Sequence, residues 1–176
     1  MDYHQPIIIE GKEYQFGHLN PFDHFFYSET AKKQLCIEVK FSNHCFTEKC
    51  EDPTGHALIL KDPGNRDRVF CPIRYAISID LPDIVREMLE SNKPVWQTVH
   101  ERNWVHTITI QTPVGPYHVF FEVRKASKGE DANVKLFVES AYPEDPEKGP
   151  PEVQGKMRIE TLCTNTFLRK PIATRR

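Results

Sequence analysis

Between Leu35 and Tyr75 lie four of the chain's five cysteines and two of its eight histidines. Two runs within it combine reactive side chains. Phe41-Ser-Asn-His-Cys-Phe-Thr47 follows an apolar, strand-like stretch, and Phe70-Cys-Pro-Ile-Arg-Tyr75 comes shortly before a clearly patterned helix. Reactive groups at the ends of regular elements are where sites tend to be built.

Three chemistries are open to these residues. Cys36, His44, Cys45, Cys50 and Cys71 are ligand types that zinc takes, and four of them could meet tetrahedrally in a zinc-stabilised domain. The spacing argues against it. There is no C-x-x-C knuckle, and adjacent His44 and Cys45 would point to opposite faces of a strand. Free cysteine also packs as a small hydrophobe. A cysteine nucleophile, Cys45 or Cys71 with a histidine base and a carboxylate, is the second chemistry. No family signature surrounds either cysteine, and a packed thiol is the plainer account.

The third chemistry is metal-independent acid–base cleavage of RNA. It needs a base near the 2′-hydroxyl, an acid near the leaving oxygen and a cation for the phosphorane charge. His44, His56, His100, His106 and His118 can exchange protons, Glu139 is an alternative base, and Arg74, Arg102 and Arg124 can supply the cation. The first choices are His44 and Arg74, with His100 or His118 as the second proton-transfer group. His44 follows a strand and precedes a polar loop, and Arg74 precedes the helix with a planar fork suited to phosphate. The same residues would also be ordinary on the solvent side of half-exposed strands.

Composition limits the classes. The chain has 176 residues, 39% apolar and 27% charged, with a formal net charge of −2. That is the size of one globular domain, here 1–176, and the charge excludes a broad non-specific nucleic-acid surface. The Arg169, Lys170, Arg175 and Arg176 cluster is the best local basic patch. No apolar run is long enough for a membrane span, and Met1–Pro6 has no secretory pattern. The odd, irregular cysteines suggest free thiols and a cytoplasmic setting, with no cofactor implied.

The elements that must position the site can be read from periodicity. Ile7 to Phe16 predicts a hairpin turning at Glu10-Gly11, and Phe25 to Lys33 is compatible with a short helix. Gln34 to Phe41 alternates as a half-buried strand, with Ile37, Val39 and Phe41 on one face. His56 to Leu60 and Arg68 to Tyr75 read as strands around an Asp62-Pro-Gly-Asn65 turn. Leu81, Ile84, Val85, Met88 and Leu89 make one apolar helix face, with Asp80 as N-cap and Asn92 and Pro94 as terminators. Trp104 to Gln111 and Tyr117 to Arg124 should pair, Val134 to Tyr142 is a third strand, and Gly155 to Cys163 a final one. Residues 143–154 form a Pro/Glu-rich surface loop.

The expected fold is α+β, an antiparallel sheet of about five to seven strands with one main amphipathic helix on one face. Two function classes follow. One is a small metal-independent acid–base nuclease acting on RNA. The other is a non-catalytic protein-binding or regulatory module within a larger assembly, for which Trp96, Trp104, Tyr117, Phe120 and Phe121 could supply an aromatic patch, although core packing accounts for most of that group, with Trp104 and the Tyr117, Val119, Phe121 and Val123 face lining the interior.

Overall fold

Along three long strands alternate side chains enter the core, and this builds the scaffold of the site. In the computed structural model the described residues are 2–52, 54, 58–99, 104–109 and 115–172. A hairpin of β1 (Ile7–Ile9) and β2 (Lys12–Tyr14) turns at Glu10 and Gly11, both at positive φ. There follow β3 (Phe22–Ser28), β4 (Lys33–Phe41), a 3-10 turn (Asn43–Cys45), β5 (Thr47–Lys49), β6 (Leu60–Lys61) and β7 (Asp67–Phe70). Two consecutive helices, α1 (Pro72–Ser78) and α2 (Leu81–Glu90), lead to β8 (Pro94–Thr98), β9 (Trp104–Thr109), β10 (Pro116–Lys125) and β11 (Val134–Pro143). The described chain closes with β12 (Val153–Arg158) and α3 (Ile159–Leu168).

The architecture is α+β with mostly antiparallel strands. A seven-stranded sheet runs β12-β8-β9-β10-β11-β4-β3, and a three-stranded sheet runs β5-β7-β6. Within the large sheet β4 and β11 pair in parallel, Ile37 opposite Val134, and the other pairs are antiparallel. The expectation of one sheet and one main helix is therefore too simple: among the described residues there are three α-helices and additional small sheets.

Each departure has a local cause. Phe25 to Lys33 is not helical. It falls on β3 and the turn after it, where Phe26 and Ser28 are buried and Phe25 and Tyr27 exposed, a period of two. Arg68 to Tyr75 is not one strand, because Pro72 opens α1 with φ already suited to a helix. Asp80 does not cap α2 through its side chain; it is itself helical, because the chain runs from α1 into α2 through a single turn. Gly155 to Cys163 is strand only to Arg158. Ile159, Leu162 and Cys163 then follow helical spacing and are buried in α3. Of His56 to Leu60 only Leu60 joins a strand, and residues 55–57 lie outside the described set.

Helices α2 and α3 cover one face of the large sheet. Leu81, Val85, Met88 and Leu89 of α2 and Ile159, Leu162 and Cys163 of α3 join Ile37, Val39, Phe41, Tyr117, Val119, Phe121, Leu136 and Val138 in the core. Truncating one of these large aliphatic side chains would cost about 2–5 kcal/mol. The opposite face carries the side chains of the site.

Candidate functional site

Alternation on β10 puts Tyr117, Val119 and Phe121 in the core, so His118, Phe120 and Glu122 lie on the other face. Strand β11 alternates likewise until Val138. Phe121 then pairs with Val138 while Phe120 pairs with Ser140, which leaves Glu139 as an extra, bulged residue. Burial shifts phase there, from Val134, Leu136 and Val138 to Ala141. A bulge re-aims side chains in this way. It lets Glu139 and Ser140 line the same cleft as Phe137 and Tyr142.

That cleft, of about 810 Å³, lies between the open face of the large sheet and the three-stranded sheet. Ser42, His44, Pro63, Gly64, Arg66 and Arg68 form one wall. Phe120, Glu122, Phe137, Glu139, Ser140 and Tyr142 form the other, with Thr98, Pro151 and Glu152 at the rim. Ser42 joins the two walls, since its backbone N–H donates to Val138 O at 2.9 Å.

His44 sits on the 3-10 turn after β4, whose start is capped by Ser42 Oγ accepting from His44 N. Its ring Nε2–H donates to Asp62 Oδ2 at 3.0 Å. A carboxylate only accepts here, so the ring proton is on Nε2 and Nδ1 is left to exchange a proton with a ligand. Burial and the charge of Arg68 lower the His44 pKa, and Asp62 partly restores it.

Asp62 is the hub. It is buried in the turn between β6 and β7, and burial alone would raise its pKa. The backbone N–H of Arg66 at 2.9 Å, the His44 ring and the Arg66 guanidinium at 2.7 Å reverse that and hold the carboxyl far below its ordinary range. The turn is tight: a Cβ on Gly64 would stand 3.2 Å from Asp62 Oδ1 and 3.4 Å from Arg66 Nε.

Arg68 of β7 is 8% exposed and anchored along one edge. Its Nε donates to Thr47 Oγ1 at 3.1 Å and its Nη2 to Thr47 O at 3.0 Å. Nη1 has no hydrogen-bond partner among the described residues, and no carboxylate among them pairs with this guanidinium. Burial first, then the neighbouring Arg74, lower its pKa, and the charges of Asp62 and Glu48 partly offset them. Arg66, tied to Asp62 through Nε, presents its other edge to the same cleft.

The expected site residues separate on this geometry. His44 and Glu139 come together in the cleft. Arg74 does not line it. Its Nη1 donates to His44 O at 3.3 Å and Thr47 O at 2.7 Å, and its guanidinium lies 5.1 Å from the Tyr142 ring centre. It is a strut that fixes the backbone beneath His44. His118 is 1% exposed, with Nε2 donating to Glu144 Oε2 at 3.1 Å, so it anchors the chain after β11. His100, with His56 and Arg102, lies outside the described residues. Sequence reasoning missed Asp62, Arg66 and Arg68. Arg66 and Arg68 at alternate positions beside a recognised turn were the available signal.

The thiol chemistries do not assemble. Among the described residues no three His, Cys, Asp or Glu side chains stand close enough to hold a metal ion, so Cys36, His44, Cys45, Cys50 and Cys71 form no zinc site. Cys45 is fully buried with its pKa pushed up to about 12, and burial also raises that of Cys71. Neither thiol is set up as a nucleophile. Among the described residues no helix is long and apolar enough to cross a membrane.

An α+β scaffold with a polar cleft between two sheets is the class this geometry defines. Residues 6–167 match the YjaZ family, and the chain belongs to it. No curated protein and no solved structure matches the chain.

Proposed function

We propose that the chain is a metal-independent acid–base ribonuclease that uses the RNA 2′-hydroxyl as nucleophile. The supporting observation is one cleft holding His44, fixed by Asp62, together with Glu139 and the half-anchored guanidinium of Arg68. Glu139 accepts the 2′-hydroxyl proton. The 2′-oxygen attacks phosphorus, the bond to the 5′-oxygen breaks, and His44 Nδ1 delivers a proton to that oxygen. The products are a 2′,3′-cyclic phosphate and a free 5′-hydroxyl. Asp62 stabilises the imidazolium, as a carboxylate does behind a catalytic histidine. Arg68 and Arg66 meet the charge that grows on the phosphoryl oxygens. The cation in this reading is thus Arg68 with Arg66, in place of Arg74.

The test is cleavage of single-stranded and structured RNA by purified protein, with chelator present. His44→Ala and Glu139→Gln should each lower the rate roughly 10²–10⁴-fold. Arg68→Lys should also be damaging, because lysine lacks the planar fork that holds Thr47 and phosphate together. Wild-type protein that leaves both RNAs intact from acidic to mildly alkaline pH overturns the reading.

A protein-binding role has a different support. Phe25 and Tyr27 are 56% and 57% exposed on β3, an edge strand of the large sheet. Slowed amide exchange in β3 on adding a partner, with the cleft unaffected, would favour it.

A further inference from the structure

The cleft divides its chemistry by wall. Cationic groups, Arg66 and Arg68, stand on the small-sheet wall, while the large-sheet wall carries carboxylates and aromatic rings. A ligand matching both walls is anionic at one end and presents a flat ring with N–H donors at the other. A nucleotide has that form, its phosphate meeting the guanidinium groups and its base lying against an aromatic surface.

The two carboxylates on the large-sheet wall are not equivalent. Glu139 directly follows Val138, whose carbonyl is bonded to Ser42, two residues before His44. Glu122 lies one strand further away on β10, directly opposite Phe137 and two residues from Phe120 on the same strand face. Its Oε2 accepts from exposed Arg124 at 2.8 Å, and Oε1 is not engaged by that pair. Each carboxylate oxygen has two acceptor sites, so both oxygens can still take a donor.

Resting on the ribonuclease reading, we infer that Glu122, with Phe120 and Phe137, forms a base-recognition subsite selective for guanine. A carboxylate offers two acceptors side by side and no donor. Guanine presents two adjacent N–H donors, at N1 and at the 2-amino group. Adenine and cytosine each offer one exocyclic amino group beside an acceptor, and uracil offers one N–H between two carbonyls. Only guanine fills both oxygens without setting an acceptor against the carboxylate. Reading a base along this edge also requires it to be unpaired, so the substrate is single-stranded.

Calorimetric titration with the 3′-monophosphates of guanosine, inosine, adenosine, cytidine and uridine tests this without relying on turnover. The guanosine nucleotide should bind at least about tenfold more tightly than the adenosine, cytidine and uridine nucleotides. Inosine, which keeps N1–H and lacks the 2-amino group, should fall between. Glu122→Gln should abolish the preference while keeping phosphate-dependent binding, since an amide replaces one acceptor by a donor. Equal affinity for all five nucleotides, or a guanosine preference that survives Glu122→Gln, overturns the subsite. The inosine comparison uses wild-type protein and does not depend on the variant's folding. Guanosine-selective binding without RNA cleavage would sink the ribonuclease reading and keep the subsite; cleavage without base preference would do the reverse.

Discussion

His44 Nε2 and Asp62 Oδ2 stand 3.0 Å apart, although one comes from the turn after β4 and the other from the turn between β6 and β7. The pair ties the large sheet to the small one and fixes which ring nitrogen is exposed to chemistry. Arg66 completes it by holding the same carboxylate oxygen at 2.7 Å.

The pH dependence of RNA cleavage should report this pair. In the proposed cleavage His44 is the proton donor, so it must be protonated in the free protein for kcat/KM to be high. Burial and the Arg68 charge lower its pKa, so activity should fall with rising pH through a value below the ordinary histidine pKa of about 6.5. Asp62→Asn removes a raising influence and should move this limb to still lower pH. Ring-proton NMR of His44 should show the same displacement. A limb centred above neutrality, or one unmoved in Asp62→Asn, contradicts the assignment.

Acid stability should depend on the same carboxylate. The folded-state pKa of Asp62 is depressed, so the unfolded chain binds this proton more readily than the folded one. The stabilisation is then complete above the unfolded value of about 4 and is lost as pH falls toward the folded one. Asp62→Asn should cost about 1–3 kcal/mol at neutral pH, the usual range for hydrogen bonds to a buried charged group. Urea unfolding at neutral pH and near pH 3 should show the gap between wild type and variant narrowing on acidification. A constant gap would mean that the carboxylate charge contributes nothing.

How much of this was legible in the sequence depends on the range of the signal. The alternations in β4, β10 and β11 need only neighbouring residues, and they put Ile37, Val39, Tyr117 and Val119 in the core. His44 was visible as a reactive type at the end of an element, and Glu139 as a carboxylate within a predicted strand. The Glu139 bulge was not, because it exists only in the pairing of β11 with β10. Arg74 looked like the cation because it precedes α2, yet its side chain reaches back to the carbonyls of His44 and Thr47. Asp62 read as a turn former, and its second role requires a histidine 18 residues away. The start of α3 was hidden because the alternation of β12, Gly155 then Met157, continues through Ile159.

Helix α2 gives a stability test. Met88 is 1% exposed, and Met88→Ala should cost about 2–5 kcal/mol. Arg86 on the other face is not idle, as its guanidinium carbon lies 3.9 Å from the Phe22 ring centre. Arg86→Ala should therefore cost about 0.5–1 kcal/mol, the range of an exposed cation–π contact. Chemical denaturation of both variants checks the order, and equal losses would remove the amphipathic assignment of α2.

The thiols should behave as packing groups. All five cysteines are free, and Cys36, Cys45, Cys71 and Cys163 are buried while Cys50 is intermediate. Burial raises the pKa of Cys45 to about 12 and disfavours the thiolate of Cys36, Cys71 and Cys163. The thiolate is the reactive species, so buried thiols with raised pKa react slowly. Titration of native protein with a thiol reagent at neutral pH should modify Cys50 first and the other four only slowly. After denaturation all five should react at similar rates. Cys50→Ser should abolish the fast native phase without changing activity, because Cys50 does not line the cleft. Fast modification of Cys45 or Cys71 in folded protein would show that the three-stranded sheet opens away from the large one. The His44–Asp62 contact would then be made and broken on the timescale of the reagent.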